Sequence, residues 1–236
     1  MSLIISLKIP DAIIVSSDSN MTIETMRKSD GNVLAMSHTA HTPKMVIFRK
    51  RLAVTYCGDM SVTDSISVLQ FLQDLRLTVP RNITPELLAD TILNKYKKIS
   101  KRDTIFLISG YIGNNSSIYR VTTGNENIEE CLSSGYGAVY NGQTEYIHGM
   151  MSSVAAYKNI SIKDGIELIT TMMYCISSIS KFWKSQSVGG DIDIYLMCRD
   201  KKTKSGWVEY GQYIPISEMK KKITNCKDNT TSGHNS

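Results

Sequence analysis

Short apolar runs separated by turn residues mark the first part of the chain. Residues 3–9, 12–17, 46–48 and 52–57 are rich in Ile, Val and Leu, and they are bounded by Pro, Asp or basic residues. Runs of this length and composition predict β-strands joined as hairpins. The mostly polar stretch 24–43, with Asp30-Gly31-Asn32 as a turn signal, predicts a loop between them.

Apolar residues then recur at spacings of three and four, which is typical of amphipathic helices. The second of two such segments has Thr84 as a cap and Pro85 in its first turn, with Leu88, Ile92 and Tyr96 on one face. The first segment predicts a helix whose apolar face consists of Val62, Ile66, Leu69, Leu72 and Leu75.

The rest of the chain repeats this order of strands followed by helices. The predicted elements are strands at 104–109 and 117–122, helices at 144–158 and from the cap Ser161, and strands at 191–198 and 206–213. Strands and helices in separate blocks favour an α+β fold with antiparallel sheets and helices packed outside them. Without an internal linker or repeat, we expect one domain over residues 1–217 and a polar, disordered tail over 218–236.

Composition and charge narrow the class of protein. Hydrophobic residues make up 42% and charged residues 21% of the chain, as in ordinary globular proteins. The net charge of +5 comes from short basic runs with little aromatic interleaving, which is typical of solvated faces rather than of nucleic-acid sites. No run reaches the roughly 18 apolar residues of a membrane span, and no signal peptide is evident. We therefore expect a cytoplasmic protein with no nucleic-acid or membrane partner.

Conventional catalytic and metal-binding motifs are scarce. The chain has no P-loop, GxGxxG or GxSxG motif, and none of its histidines stands at a familiar metal-ligand spacing. We expect no cofactor, no metal and reduced thiols, because the cysteines are odd in number, widely spaced and without a CxxC pair. These are Cys57, Cys131, Cys175, Cys198 and Cys226.

The start of the first predicted strand offers another kind of chemistry. Removal of Met1, which a side chain as small as serine permits, would make Ser2 the terminal residue. An α-amino group has a pKa near 8, so it can act as the base for a hydroxyl on the same residue. Serine is nevertheless a common second residue, and Ser2 alone is a weak signal.

Five further segments raise the significance of Ser2. "DSNMT", from Asp18 to Thr22, begins 16 residues after Ser2 and resembles the "DSRAT"-like signature of proteasome β subunits and their bacterial relatives. "HTPKMVIF" carries Lys44 where that family has its catalytic lysine. Fourteen residues after Lys44, "VTYCGDMS" carries Gly58 where the family has its oxyanion-hole glycine. "SGYGAVYNG" and "VGGDIDIYLM" are similar to later glycine motifs, and an insertion of about ten residues between Thr22 and Lys44 is the only offset.

The resemblance implies membership of the N-terminal nucleophile hydrolases and a four-layer αββα sandwich of two antiparallel sheets flanked by helix pairs. Ser2 would be the nucleophile and its own α-amino group the base. Lys44 would lower the pKa of the hydroxyl, Asp18 would orient Lys44, and the Gly58 N–H would donate to the oxyanion.

Substrate and partners follow from the same resemblance. Thr22 would hold an extended peptide, and Tyr56 with Cys57 would line a substrate pocket that the tyrosine narrows. The implied substrate is a peptide or protein, and the implied assembly is a homo-oligomeric ring. Whether an unfoldase partner exists is left open.

Two alternatives remain because the chain departs from the family pattern. Serine replaces the usual threonine, and Tyr136 stands at an auxiliary serine position, with Ser134 two residues away. Ser185 and Val188 stand where an aspartate and a second serine precede the Gly-Gly pair. One alternative is a catalytically silent structural or binding subunit. The other is an amidase or acyl-transfer enzyme for a small molecule, which would use the same residues.

Overall fold

The computed structural model describes residues 2–26, 33–39, 41–132, 134–142, 144, 147–152, 157–182, 188–199, 205–209 and 212–215. In these ranges the chain is a mixed α+β protein with two large antiparallel sheets, a separate two-stranded sheet and four α-helices. The predicted tail at 218–236 lies outside the described residues.

Six strands form the sheet that carries the start of the chain. The two fully buried strands β1 (Leu3–Ile9) and β2 (Ala12–Asp18) pair with each other. Strand β1 also pairs with β10 (Gly137–Gly142), and β2 pairs with β11 (Ile192–Cys198). Burial on both faces explains why β1 and β2 are nearly continuous apolar runs. In spatial order the strands are β10 (Gly137–Gly142), β1 (Leu3–Ile9), β2 (Ala12–Asp18), β11 (Ile192–Cys198), β12 (Gly206–Glu209) and β13 (Gln212–Pro215).

Five strands form the second large sheet. They follow one another in space as they do in sequence; short turns join the first two strands and the last three, whereas residues 59–103 connect the second strand to the third. The strands are β5 (Met45–Phe48), β6 (Leu52–Gly58), β7 (Thr104–Ile112), β8 (Asn115–Thr122) and β9 (Asn127–Glu130).

The helices cover the outer faces of the two sheets. Helices α1 (Val68–Thr78) and α2 (Pro85–Ile99) contact the five-stranded sheet, and α4 (Ile162–Phe182) contacts the six-stranded sheet. Two residues of the short helix α3 (Ile147–Ser152) belong to the same core cluster as α4. No helix of the described ranges is long and apolar enough to cross a membrane.

The two sheets face each other, and strand alternation supplies the core between them. Along β1, Leu3 and Ile5 belong to the cluster shared with α4, whereas Ile4 belongs to a cluster with Leu107 of β7. In the same way, Val15 of β2 packs in a cluster with residues of the five-stranded sheet. The layers therefore run helix, sheet, sheet, helix in the described residues.

Several predicted elements are confirmed with small changes of boundary. Strands β1, β2, β5–β8 and β11 lie where the apolar runs predict them, and α2 begins at Pro85 with Thr84 as its cap. The Thr84 hydroxyl accepts a hydrogen bond from the Leu87 N–H at 3.2 Å. Ser161 caps α4, because its Oγ accepts from the Asp164 N–H.

The prediction of a loop over 24–43 was wrong. Strands β3 (Met21–Met26) and β4 (Val33–Thr39) form an antiparallel hairpin in this region, as a separate two-stranded sheet. Strand β3 alternates apolar and polar residues only over 21–24, and β4 is apolar over 33–36 and polar over 37–39, so neither segment shows the sustained period of two that is typical of a strand.

Three other boundaries differ from the predictions. Helix α1 begins at Val68 rather than at Val62, because Ser67 caps it and the Val62 N–H donates to the Ile66 carbonyl in a preceding turn. The single strand predicted at 206–213 is the hairpin of β12 and β13. Of the helix predicted at 144–158, the described part contains α3 and a 3₁₀ turn at Tyr157–Asn159. Strands β9 and β10 were not predicted.

Candidate active site

The carboxylate of Asp18 is the centre of a buried polar cluster at one end of the sandwich. Asp18 ends β2 and is 0% exposed. Its Oδ1 accepts from the Leu3 N–H at 2.9 Å and from Lys44 Nζ at 2.9 Å, and its Oδ2 accepts from the Gly189 N–H at 3.3 Å. Asp18 therefore joins the peptide directly after Ser2 to the Lys44 ammonium.

Lys44 lies one residue before β5, and its ammonium is fully buried. Besides Asp18 it donates to the Asn20 carbonyl oxygen. Burial lowers the pKa of Lys44 and raises the pKa of Asp18, while their mutual attraction opposes both shifts. An isolated buried ammonium would be costly, so the carboxylate and carbonyl contacts are what make this position tolerable.

Ser2 is buried and precedes β1 directly. Side chains alternate along a strand, so Ser2 falls on the same side of the sheet as Ile4, which packs toward the five-stranded sheet. Leu3 pairs with Gly142 of β10, and a Cβ at Gly142 would lie 1.7 Å from the Ser2 carbonyl oxygen. Gly142 also has a φ of +102°, so this close approach of β10 to Ser2 requires glycine.

Gly58 ends β6 and is exposed. The Tyr56 N–H donates to the Lys44 carbonyl on one side of β6, and the Asp59 N–H donates to Asp103 on the other. Because N–H groups alternate sides along a strand, the Gly58 N–H points to the Lys44 side. The φ of Gly58 is +96°, and a Cβ there would lie 2.7 Å from the Asp103 carbonyl oxygen, so this position also requires glycine.

Cys57 links Gly58 to the buried charges but is a poor nucleophile. It belongs to the cluster between the sheets with Ile4, and the charges of Lys44 and Asp18 act on its thiol. Burial raises the pKa of Cys57 to about 12, so the thiol is neutral near physiological pH.

The two predicted substrate-binding residues lie in different surroundings. The Tyr56 ring is 1% exposed and lies in the core beneath α1 and α2, where it faces Phe106, and its hydroxyl donates to the Pro43 carbonyl at 2.7 Å. As placed, Tyr56 offers no exposed surface to a substrate. Thr22 lies in β3, opposite His38 of β4.

Main-chain groups near Gly189 were missed by the site prediction. The Gly189 carbonyl accepts from the N–H groups of Ser19 and Asn20, while the Gly189 N–H donates to Asp18. At Gly190 the φ is +72°, and a Cβ would lie 2.6 Å from Ser19 Oγ. In the sequence, the Gly-Gly pair was the signal for these main-chain groups. Hydrogen bonds made by peptide N–H and carbonyl groups leave no pattern of side-chain types.

A second group of polar side chains, more exposed than Asp18 and Lys44, lies next to Ser19. The His41 N–H donates to Ser19 Oγ at 3.3 Å, and His41 Nδ1 lies 2.5 Å from Asp191 Oδ2. Asp193, two residues further along β11, is half-buried. Burial and the neighbouring carboxylates of Asp191 and Asp18 raise the pKa of Asp193. Neither Asp191 nor Asp193 was predicted as a site residue, because polar residues that alternate with apolar ones are expected in a strand.

The auxiliary positions of the family pattern are occupied differently. Tyr136 and Ser134 are exposed, and Val188 is buried in the core shared with α4. Ser185 lies outside the described residues. Within the ranges that the structure describes, no group of three or more His, Cys, Asp or Glu could hold a metal ion.

No family model matches the chain, and a search of curated proteins returns no significant match. The resemblance to proteasome β subunits therefore depends on the short segments around Asp18, Lys44, Gly58 and Gly189. The geometry adds that the first two form one buried ion pair, hydrogen-bonded to the peptide after Ser2 and to Gly189.

Proposed function

We propose that this chain is an N-terminal serine hydrolase of the proteasome-like N-terminal nucleophile family, cleaving amide bonds in peptide or protein substrates. The observation that carries the proposal is the Asp18 carboxylate, which binds the Lys44 ammonium and the Leu3 N–H at the same oxygen. A fully buried ion pair is costly to maintain. A role in positioning Ser2 accounts for that cost, because the pair also binds the peptide N–H that follows Ser2.

The helix–sheet–sheet–helix order supports the same assignment. An αββα sandwich places the start of β1 at the edge of the space between its sheets, where a rigid scaffold can hold a terminal nucleophile. Strand β3 has one neighbour in the described residues, β4, so its other edge is available to an extended peptide near Thr22. A peptide or protein substrate follows from that mode of binding.

In the proposed reaction, Ser2 Oγ attacks the substrate carbonyl and its proton passes to the Ser2 α-amino group. Lys44 lowers the pKa of the hydroxyl, and the Gly58 N–H donates to the tetrahedral oxyanion. The C–N bond then breaks, and the protonated amine gives its proton to the departing amine. Water attacks the resulting ester, which releases the acid and regenerates Ser2. The mechanism requires cleavage of the bond between Met1 and Ser2.

One observation favours the catalytically silent alternative. Val188 stands at an auxiliary serine position and is buried among apolar side chains, so no hydroxyl is available there to set the protonation of the terminal amine. In this reading the same fold is a structural or binding subunit, and the ion pair stabilises the start of β1. Assembly into a homo-oligomeric ring is part of both proposals, by analogy with the family.

Intact-mass spectrometry of the purified chain, followed by labelling with a β-lactone electrophile, tests the proposal. We expect a mass short by one methionine and a covalent adduct at Ser2 that is lost in Ser2→Ala and retained in Ser2→Thr. Ser65→Ala, at an exposed loop serine, is the matched control and should label normally. Retention of Met1, or labelling that persists in Ser2→Ala, would contradict the hydrolase proposal and favour the silent subunit.

A further inference from the structure

A groove rich in cations lies at the end of the β5–β6 hairpin away from Lys44 and Gly58. It has a volume of about 760 Å³ and is open to solvent. We call it the basic groove, and it is lined by Ile47, Arg49, Lys50, Arg76, Leu77 and Arg81. Four of these six residues are cationic and none is acidic, so the groove carries a concentrated positive charge.

Among the residues that the structure describes, the four cations have no anionic partner. Some basic residues elsewhere are paired, as Arg102 is with Asp64 and Arg120 with Glu129. In the part of the chain that the structure describes, none of the groove cations lies within 4.0 Å of a carboxylate. Four unpaired like charges around one groove repel one another and attract anions.

The turn that presents two of these cations has an unusual backbone. Arg49 and Lys50 are consecutive non-glycine residues with φ values of +53° and +64°. Asn, Asp or Gly adopts this conformation at lower cost and is the usual choice in such hairpin turns. Backbone strain of this kind is concentrated at functional positions. Both side chains are exposed, so the turn presents two cations to solvent although its backbone conformation is unfavourable for these residue types.

Aliphatic surface lies among the charges. Leu77 is 77% exposed, although the core face of α1 already buries Phe71, Leu72 and Leu75. Ile47 of β5 adds half-buried apolar surface. None of the described residues that line the groove is aromatic, so these residues offer no platform on which nucleic-acid bases could stack. Cations around exposed aliphatic side chains match a peptide that carries both carboxylates and an aliphatic residue.

We propose that the basic groove binds an acidic peptide segment of a partner protein. Carboxylates of that segment pair with Arg49, Lys50, Arg76 and Arg81, and an aliphatic side chain packs on Ile47 and Leu77. The groove shares no residue with the candidate active site, so this proposal stands or falls separately from the hydrolase proposal.

Fluorescence anisotropy with the full chain and a short fluorescein-labelled peptide of glutamates and leucines tests the proposal. Arg76→Glu with Arg81→Glu should weaken binding by about tenfold or more, because it replaces attraction by repulsion. The matched control is Lys158→Glu with Lys163→Glu, which makes the same change of net charge at exposed positions outside the groove. It should change the affinity by less than about twofold. Both proteins should keep the wild-type melting temperature, because all four positions are exposed.

A second comparison separates the apolar contact from the charge. Leu77→Ser should weaken binding of the glutamate–leucine peptide but not of a glutamate–serine peptide. Equal losses in the groove and control variants, or no loss in either, would overturn the proposal. So would a single-stranded oligonucleotide that binds more tightly than the peptide and depends on Arg76 and Arg81, because the groove would then be a nucleic-acid site.

Discussion

Two buried lysines lie at opposite ends of the space between the sheets. Lys44 is 0% exposed at the Ser2 end of β1, and Lys8 is 4% exposed near the other end of the same strand. Lys44 donates to the Asp18 carboxylate and to the Asn20 carbonyl. Lys8 donates to the carbonyl oxygens of Ser116 and Leu132, so it ties β1 to the five-stranded side of the molecule.

The comparison shows that burial alone does not identify a reactive lysine. Burial lowers the pKa of both side chains, and a nearby carboxylate opposes the shift in each case, Asp18 for Lys44 and Glu130 for Lys8. The difference lies in the surrounding groups. Only at Lys44 does the carboxylate also accept from the peptide N–H after Ser2, and the exposed residue Gly58 directs its N–H to the Lys44 side of β6. Under the proposed function, Lys44 therefore belongs to the reaction, whereas Lys8 contributes to the cohesion of the sheets.

The largest expected difference is in activity. Lys44→Met should lower kcat/KM for a peptide substrate, or the rate of labelling at Ser2, by about 10³-fold or more, because the charge that activates the hydroxyl is lost. Lys8→Met should leave the rate within about twofold. Equal losses in the two variants, measured on samples shown to be folded by circular dichroism, would mean that the two ends of the space are not functionally different.

Stability should also separate the two lysines. Lys44→Met leaves Asp18 buried without its cation and should lower the free energy of unfolding by about 3–5 kcal/mol. Lys8→Met removes a donor from backbone oxygens and should cost about 1–3 kcal/mol. Urea unfolding near neutral pH measures both values.

A double variant tests whether the loss at Lys44 comes from the pair. Combining Lys44→Met with Asp18→Asn removes both charges, so most of the lost stability should return. If the two losses simply add, Asp18 and Lys44 are not coupled, and the contrast with Lys8 loses its physical basis.

Two glycines give a smaller contrast between the same two ends. At Gly142 a Cβ would lie 1.7 Å from the Ser2 carbonyl oxygen at a φ of +102°, so Gly142→Ala should cost about 2–3 kcal/mol and move β10 away from Ser2. At Gly113, in the turn between β7 and β8, φ is +60° and no atom lies within 4 Å of a Cβ, so Gly113→Ala should cost about 1 kcal/mol. Thermal unfolding compares them, and equal costs would show that Ser2 is not held closely by β10.

The sequence predicted the elements whose patterns are strong and local. Apolar runs located β1, β2 and β6, and the Thr84 cap with Pro85 located the start of α2. The β3–β4 hairpin escaped prediction because this stretch of the chain is mostly polar and neither strand keeps a period of two. The start of α1 was placed too early, because Val62 and Ile66 continue the helical spacing through a turn.

The candidate site was predictable to the extent that it depends on side-chain identity. Asp18 and Lys44 are 26 residues apart in sequence and form a 2.9 Å ion pair, as the resemblance implied. Bonds made by main-chain atoms, such as those of Gly189, are not encoded in any residue type. The direction of the Tyr56 ring depends on strand register, which a short motif does not specify.

Asp18 and Asp193, two acids at the Ser2 end, provide the comparison with the smallest expected effect. Asp18 has three donors, whereas no donor or cation in the described residues contacts the Asp193 carboxylate. Burial and two neighbouring carboxylates raise the pKa of Asp193 above the ordinary 3.8. The folded state thus holds this proton more tightly than the unfolded state. The associated stabilisation is complete below pH 3.8 and disappears as the pH rises through the folded-state pKa.

Asp193→Asn should therefore raise the free energy of unfolding at neutral pH, where the ionised wild-type carboxylate lies beside Asp191 and Asp18. The gain should shrink as the pH falls toward and below 3.8, because the wild-type acid then becomes neutral in both states. Urea unfolding across this pH range measures the difference, with Asp90→Asn at an exposed position of α2 as the control. A variant less stable than the wild type at neutral pH would show that the Asp193 charge stabilises the site, and both acids at this end would then be held by attraction.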